Sequence, residues 1–276
     1  MNSLSRICSL LACFTIGTPI VAMAADVITP EVTNIQPAND WKFEITPYAW
    51  ATGLKGDISP FRRLPSVSIE KDFSDVLEDL NGAIFLNAWG TNGEFGFLAD
   101  IMYVNLSEAH GFGPIPLPIG HATTNLDVKV DASIFSGTFM GAYRVASNEN
   151  FALDALGGVR FFHVWTDLKL NARINNTPLH ADYRLKSSFG WADPLVGARL
   201  QYDFNDKLQL VTQADVGGFN VGSDLTVQAI ATLKYAINDK TSLALGYKYM
   251  DIDYSRDGRV FDSTLHGPLI GLTFRF

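Results

Sequence analysis

The chain is poor in cysteine, which narrows its chemistry. Its two cysteines, Cys8 and Cys13, both lie in the first 24 of its 276 residues. If that segment is removed on export, the mature chain has no thiol. Disulfide bonds, cysteine metal sites and cysteine nucleophiles are then excluded.

Charge is scarce at the N-terminus, where Arg6 is the only charged side chain in the first 24 residues. Residues 7–20 are largely apolar, and Ala22-Met23-Ala24 fits a small-x-small cleavage site. This order is typical of a secretory signal peptide cleaved near Ala24. Leu10-Leu11-Ala12-Cys13 resembles a lipoprotein box, but it would end the apolar core early, so we expect cleavage without lipidation.

Long apolar runs and positive charge are also lacking. Beyond residue 24 there is no stretch of 18 apolar residues, which excludes a transmembrane helix. The chain has 21 Lys and Arg against 29 Asp and Glu, so its net charge of −8 becomes −9 once Arg6 is lost. We therefore expect no nucleic-acid partner. A mature chain in a membrane would have to cross it as strands.

Apolar and polar side chains alternate from Trp41 onward, which indicates β-strands. Tight turns rich in Asn, Asp and Gly alternate with mostly longer connections at 55–80, 108–123, 171–182 and 218–223. Short turns at one end, longer loops at the other and aromatic residues near strand ends are typical of transmembrane barrels. A soluble sandwich would explain the alternation alone but not these further features.

The C-terminus carries the most specific pattern. Ile270, Leu272, Phe274 and Phe276 alternate up to a terminal phenylalanine and resemble the signature by which outer-membrane barrels are recognised for assembly. We therefore predict an all-β fold, a single closed antiparallel transmembrane β-barrel with both termini periplasmic. It spans residues 41–276, after a periplasmic tail at 25–40. About ten strands are expected, with 8 to 12 possible: 41–54, 81–91, 94–107, 124–145, 150–170, 183–204, 207–217, 223–237, 241–254 and 262–276.

Three segments leave alternatives open. Residues 67–73 also alternate and could add strands. Residues 74–80 have a cap-like serine and helical spacing, which is typical of a short helix. The sequence does not decide whether the segment 55–80 plugs the lumen. Residues 111–120 are apolar and proline-rich, which favours a stiff cover over the barrel mouth or an external patch for a partner. The alternation drifts after Ser133 and predicts a bulge near Gly137.

Four segments carry a resemblance to a known group of proteins. Residues 98–107, 191–199, 215–226 and 267–276 resemble those of an uncharacterised family of proteobacterial outer-membrane β-barrel proteins. The likeness covers roughly residues 41–276. It implies the barrel fold and a location in the outer membrane of a Gram-negative cell, and it transfers no catalytic residue.

The predicted inner face of the barrel carries charges of both signs. We interpret them as mutually paired charges that fill a narrow lumen, because buried charges need partners and small barrels fill with side chains. A narrow porin-like channel for ions or small solutes is the alternative. These lumen residues are Glu44, Asp100, Asp154, Arg160, Asp193, Arg199, Asp203, Asp215, Lys234, Lys248 and Arg275.

A second group lies near the predicted outer rim. Asp251, Asp253, Asp262 and His266 are weak catalytic candidates for a surface-rim hydrolase, in which carboxylates and a histidine would activate water. Solvated hairpin charges are the simpler interpretation. No cofactor or metal site is expected. His163 and Trp165 are expected to form an interfacial pair on the lipid side.

The sequence thus predicts a non-enzymatic outer-membrane barrel with a structural or interaction role at the cell surface. Its expected partners are outer-membrane lipid, lipopolysaccharide and the outer-membrane assembly machinery. The ligand, the oligomeric state and whether the lumen is open are left undetermined by the sequence.

Overall fold

The computed structural model describes residues 40–62, 66–116, 123–174 and 180–276. The predicted signal peptide and nearly all of the predicted tail lie outside these residues. The described chain is built from strands and one short helix, α1 (Phe73–Glu78). The strands are β1 (Lys42–Trp50), β2 (Gly53–Ser59), β3 (Val67–Lys71), β4 (Leu80–Thr91), β5 (Phe95–Pro116), β6 (Thr123–Ser147), β7 (Phe151–Ile174), β8 (His180–Asn205), β9 (Leu208–Gly217), β10 (Leu225–Asn238), β11 (Thr241–Arg256) and β12 (Arg259–Arg275). No helix in this part of the chain is long and apolar enough to cross a bilayer.

Strand pairing closes the sheet into a barrel. Each strand from β4 to β12 pairs antiparallel with the next, and β1 pairs with both β4 and β12. Ten strands, β1 and β4–β12, therefore surround the lumen. At the seam, Phe276 N donates to Phe43 O at 2.9 Å, and Phe43 N donates to Phe276 O at 3.3 Å. The predicted ten-stranded closed antiparallel barrel is confirmed.

The first long connection contributes to the barrel wall. β2 pairs with the loop-end half of β12, from Ser59↔Val260 to Gly53↔His266, and β3 folds back onto β2 as a hairpin. The alternating residues from 67 onward thus form an added strand, although it does not join the closed ring. The predicted short helix is also present, as α1. The described residues between 53 and 71 therefore extend one side of the barrel wall.

Two connections predicted as long loops are mostly strand, so those predictions were wrong. β5 continues to Pro116, β7 to Ile174, and β8 already begins at His180. Pro114 is tolerated because it lies in a register irregularity between Phe112 and Ile115, where β5 is also a sheet edge. The interpretation of 111–120 as a cover fails for its strand portion, and 117–120 lie outside the described residues.

Outward-facing side chains form an apolar band around the barrel. On β7 the outward positions run from Leu153 to Trp165, roughly 40 Å along the strand at about 3.3 Å per residue. At a strand tilt of roughly 40° this corresponds to about 30 Å of height, the thickness of a bilayer's hydrocarbon core. Exposed aromatic rings lie at both edges of the band, such as Phe274 and Tyr202 near the turns, with Trp165 and Tyr247 towards the loops.

Candidate functional site: the barrel lumen

The lumen begins, at the end with the tight turns, in an open polar vestibule. This cavity of about 670 Å³ is lined by residues of the turns and by the C-terminal strand. At its inner edge the carboxylate of Glu44 accepts hydrogen bonds from Lys234 Nζ at 2.5 Å and Arg275 Nε at 3.0 Å. Because Glu44 lies on β1 and Lys234 on β10, the first of these bonds links strands that are not neighbours in the sheet.

The next layer of charges surrounds Asp154. Arg144 Nε donates to Asp154 Oδ1 at 2.5 Å, and Arg199 Nη1 lies 3.7 Å from Asp154 Oδ2. The Arg199 guanidinium stacks over the ring of Trp89, with its central carbon 4.0 Å from the ring centroid. This aromatic face compensates part of the cost of burying the guanidinium. Nearby, Asp203 accepts a hydrogen bond from Gln209 Nε2 at 2.6 Å.

An ion pair crosses the lumen at the next level. Lys248 Nζ, on β11, donates to Asp100 Oδ1, on β5, at 2.8 Å. Neither strand neighbours the other, so the contact joins opposite walls. Lys248 also donates to Tyr48 Oη at 2.9 Å, while Tyr48 and Asn87 donate to Asp100 at 3.2 Å. Lys248 has no exposed surface and Asp100 is 3% exposed, so the pair is sealed from solvent.

A second buried pair lies beside it. Arg160 Nη2 donates to Asp215 Oδ1 at 2.9 Å, and Arg160 Nε donates to Thr138 Oγ1 at 2.8 Å. Gln213 and Gln228 donate to the other oxygen of Asp215 at 3.1 and 3.3 Å. Buried ion pairs persist only when their remaining hydrogen-bonding groups find partners, and these amides meet that requirement for Asp215.

Asp193 has neutral hydrogen-bond donors as its partners. Its carboxylate accepts bonds from Ser223 N at 2.6 Å, Ser223 Oγ at 2.7 Å and Trp191 Nε1 at 3.2 Å. It therefore anchors the connection between β9 and β10 to the lumen side of β8. With Asp193, every charged lumen residue named from the sequence lies on the inner face and has a polar or ionic contact there.

Beyond these layers the polarity of the two faces inverts. On β11, Ser242 and Lys248 face inward and Leu245 and Tyr247 outward, but further along Met250, Ile252 and Tyr254 face inward and Asp251 and Asp253 outward. The register of β11 against β12 is continuous through this change, so no bulge causes it. The same inversion occurs on β5, β6 and β7. The loop-end half of the lumen is therefore apolar.

The inversion also explains the apparent drift in β6. Gly137 pairs in continuous register with Ile101 and Phe161, so the predicted bulge near Gly137 is wrong. Ile134 and Ala132 face the apolar part of the lumen, while Ser133 and Asp131 face outward. The side chains of β6 keep alternating inward and outward without a break, but the polar face changes from the inner to the outer side. This reversal was the sequence signal for an apolar outer lumen, and the sequence reasoning missed it.

Aromatic rings cross the lumen at the start of the apolar half. Trp191 of β8 stacks on Tyr254 of β11, with centroids 4.1 Å apart, and on Phe162 of β7 at 4.9 Å. Met102, Phe162, Met250, Ile252 and Phe261 are at most 2% exposed and belong to one buried cluster. Together with the ion-pair layers, this cluster separates the turn-end vestibule from the loop end.

The weak catalytic candidates lie on the outer surface. Asp251 and Asp253 do not end their strand, because β11 continues to Arg256. Asp251 accepts a hydrogen bond from Thr264 Oγ1 at 2.6 Å, Asp253 is opposite Asp262, and the Nδ1 of His266 lies 2.7 Å from Tyr247 Oη. Within the described ranges, no three or more His, Cys, Asp or Glu residues are placed to hold a metal ion.

His163 and Trp165 are both on the outward face, with ring centroids 4.1 Å apart. The Nε2 of His163 lies 2.8 Å from Ser188 Oγ. The sequence did not point to Ser188 as the partner of this histidine, because the pairing of β7 with β8 could not be read from either strand alone. A hydrogen-bonded His–Ser pair at an edge of the apolar band suits a polar interface.

Comparison with known proteins gives similarity of fold alone. No protein-family model and no curated protein sequence matches the chain. Among solved structures, the outer membrane protease OmpT from Escherichia coli is 11% identical with a TM-score of 0.45, and the match covers 87% of this chain and 98% of that one. The translocator domain of autotransporter NalP from Neisseria meningitidis is 13% identical, with a TM-score of 0.41 and coverage of 86% and 89%. The attachment invasion locus protein Ail of Yersinia pestis is 13% identical, with a TM-score of 0.32 and coverage of 86% and 98%.

Proposed function

We propose that the chain is an outer-membrane β-barrel protein of a Gram-negative cell, with a sealed lumen and a structural or interaction role at the cell surface. The outward apolar band, about as tall as a bilayer's hydrocarbon core and edged by aromatic rings, supports the membrane location. Ring closure by β1 and β12 supports it further, because a barrel satisfies its backbone groups without an open edge in lipid.

The ion pair between Lys248 and Asp100 is the main observation in support of a sealed lumen. It joins opposite walls at 2.8 Å and is buried from solvent. A hydrated ion would need a continuous aqueous path past this level. Arg160, Gln228 and Asp193 are fully buried around it, which supports a packed layer in place of a path.

Recordings of the refolded protein in planar bilayers test this role. We expect the wild-type protein to give no steady conductance. The double variant Asp100→Ala/Lys248→Ala should give brief leaks, because it removes the crossing pair. The matched control, Asp239→Ala/Lys240→Ala in an exposed turn, should stay silent.

Steady conductance steps from the wild type that change in Arg199→Met or Lys248→Met would contradict the proposal and favour a porin-like channel. Turnover of a peptide or lipid substrate that is lost in Asp253→Asn or His266→Ala would also contradict it, in favour of a rim hydrolase.

A further inference from the structure

The loop-end half of the lumen contains an apolar cavity. Its volume is about 590 Å³, within the range of roughly 300–1,000 Å³ usual for small-molecule sites. Aliphatic and aromatic side chains from β2, β3, β5, β6, β7 and β12 line it, among them Leu54, Ile69, Leu106, Ile134 and Phe261. A lining of this kind favours apolar molecules over water, because most of its surface gives water no hydrogen-bond partner.

A gap in the wall leads to this cavity. Along the loop-end extension, β3 is the last strand on one side of the sheet. On the other side, residues 107–116 of β5 pair with β6, whereas β4 pairs with β5 only as far as Leu106. In the ranges given above, no strand pairing joins β3 to this part of β5. Among the described residues, the two strand edges beside the cavity are therefore joined by no backbone ladder.

Three charged side chains lie at the base of the gap and also line the cavity. Lys71 Nζ, on β3, donates to Asp79 Oδ2 at 2.6 Å and to Glu108 Oε2, on β5, at 2.7 Å. The one ammonium is thus held between two carboxylates, and the group carries a net negative charge. An anionic head group entering here would meet repulsion and would compete for an ammonium that already has two partners.

The level of the cavity indicates from which side a ligand enters. Its innermost side chains, Ile134 and Val164, lie at the height of the outward Trp165, where the apolar band ends. Its outer side chains, Val130 and Leu168, lie beyond this band, at a height where outward side chains are charged. The gap therefore opens into a polar zone, away from lipid tails.

From the apolar lining, the side opening and the net negative charge, we propose that this cavity binds an uncharged, largely hydrocarbon small molecule that enters between β3 and β5. The inference goes beyond the sealed-lumen role, because the cavity lies on the loop side of the packed layers. Binding there needs no path through the barrel.

Calorimetric titration of the protein in lipid nanodiscs tests the inference, with 1-octanol and octanoate as probes and empty nanodiscs as the blank. The two probes share an alkyl chain and differ in charge. We expect saturable binding of one octanol per barrel, with octanoate at least tenfold weaker. Equal affinity for octanoate, or no octanol binding above the blank, would overturn the proposal.

Two cavity-filling variants assign the site. Ala132→Phe and Val130→Phe each place a ring in the cavity and should weaken octanol binding at least tenfold. Ala155→Phe, which adds the same ring on the outward face of β7, should bind as the wild type does. A folded filling variant that binds octanol normally would refute the site. If lipid co-purifies with the wild type but with neither filling variant, the cavity is assigned to a membrane acyl chain. That result would overturn the proposal that a dissolved small molecule binds there.

Discussion

At the scale of single residues, the crossing pair of Lys248 and Asp100 has the largest expected effect on stability. Both side chains are buried, and Lys248 has a second partner in Tyr48. Removing one member of a buried pair leaves the other charge without compensation, whereas removing both is often nearly neutral. The pair is therefore best probed by single and double variants together.

We predict that Lys248→Met lowers the free energy of unfolding by about 3 kcal/mol, because Asp100 keeps only neutral donors. Adding Asp100→Asn should recover most of this loss. Urea unfolding in lipid vesicles, followed by tryptophan fluorescence, measures both. Lys240→Met in an exposed turn is the control and should change stability little. A single variant as stable as the wild type would show that the ion pair does not hold the walls together.

The carboxyl of Asp131, which lies outside the apolar band, makes the stability of the fold depend on pH. Hydrogen bonds from Ser107 Oγ at 2.6 Å and Lys169 Nζ at 2.9 Å lower the pKa of this carboxyl from 3.8 to about 2. A carboxyl with a lowered folded-state pKa stabilises the fold above its unfolded pKa. That contribution is lost as the pH falls from about 4 through about 2.

Ser107→Ala should therefore be less stable than the wild type at pH 6, by less than about 1 kcal/mol since the site is partly exposed. The difference should shrink as the pH falls from about 4 through about 2, because the wild-type carboxylate of Asp131 then also becomes protonated. Unfolding midpoints at stepped pH values measure this. A difference that stays constant over the whole range would rule out the Asp131 carboxylate as its cause.

At the scale of strands, the junction between β1 and β2 depends on Gly267 of β12. A Cβ at this glycine would lie 1.9 Å from the carbonyl oxygen of Ala51, which belongs to the backbone between β1 and β2. The chain passes there from the closed ring into the loop-end extension. Backbone atoms cannot move aside as a flexible side chain can, so the close approach requires glycine.

We predict that Gly267→Ala lowers the folded fraction after refolding into detergent, at a cost of about 1–3 kcal/mol. Gly157→Ala is the matched control, because a Cβ there meets no atom within 4 Å. The mobility difference between unheated and heated samples in gel electrophoresis reports the folded fraction. Equal folding of the two variants would show that the close approach at Ala51 is relaxed in solution.

At the scale of the whole molecule, the barrel has two parts with opposite polarity. Within the apolar band, outward side chains are apolar and the lumen is charged. Beyond it, the outer surface is charged and the lumen is apolar, as in a water-soluble barrel. The strands that run furthest past the band, β5 to β8, therefore form a part that is packed like a soluble protein.

The sequence predicted the ten strands and the inner-face residues because lipid and a polar lumen impose strict alternation, as in Asp193 to Phe204 on β8. It did not predict the apolar lumen, because Met250, Ile252 and Tyr254 continue the alternation of β11 while the polarity of its two faces reverses. Contacts across the barrel, such as Lys248 with Asp100, join residues about 150 positions apart. They depend on closure and register, which no single strand encodes.

Maleimide labelling of single-cysteine variants in intact cells tests the two-part barrel most directly. The mature chain is expected to have no cysteine of its own. Leu245 and Ser255 both face outward on β11, inside and beyond the apolar band, while Lys240 lies in a turn at the opposite end. A membrane-impermeant maleimide should label Ser255→Cys and leave Leu245→Cys and Lys240→Cys unlabelled until the cells are lysed in detergent. Equal labelling of all three in intact cells, or labelling of Lys240→Cys alone, would contradict the proposed membrane band or its orientation.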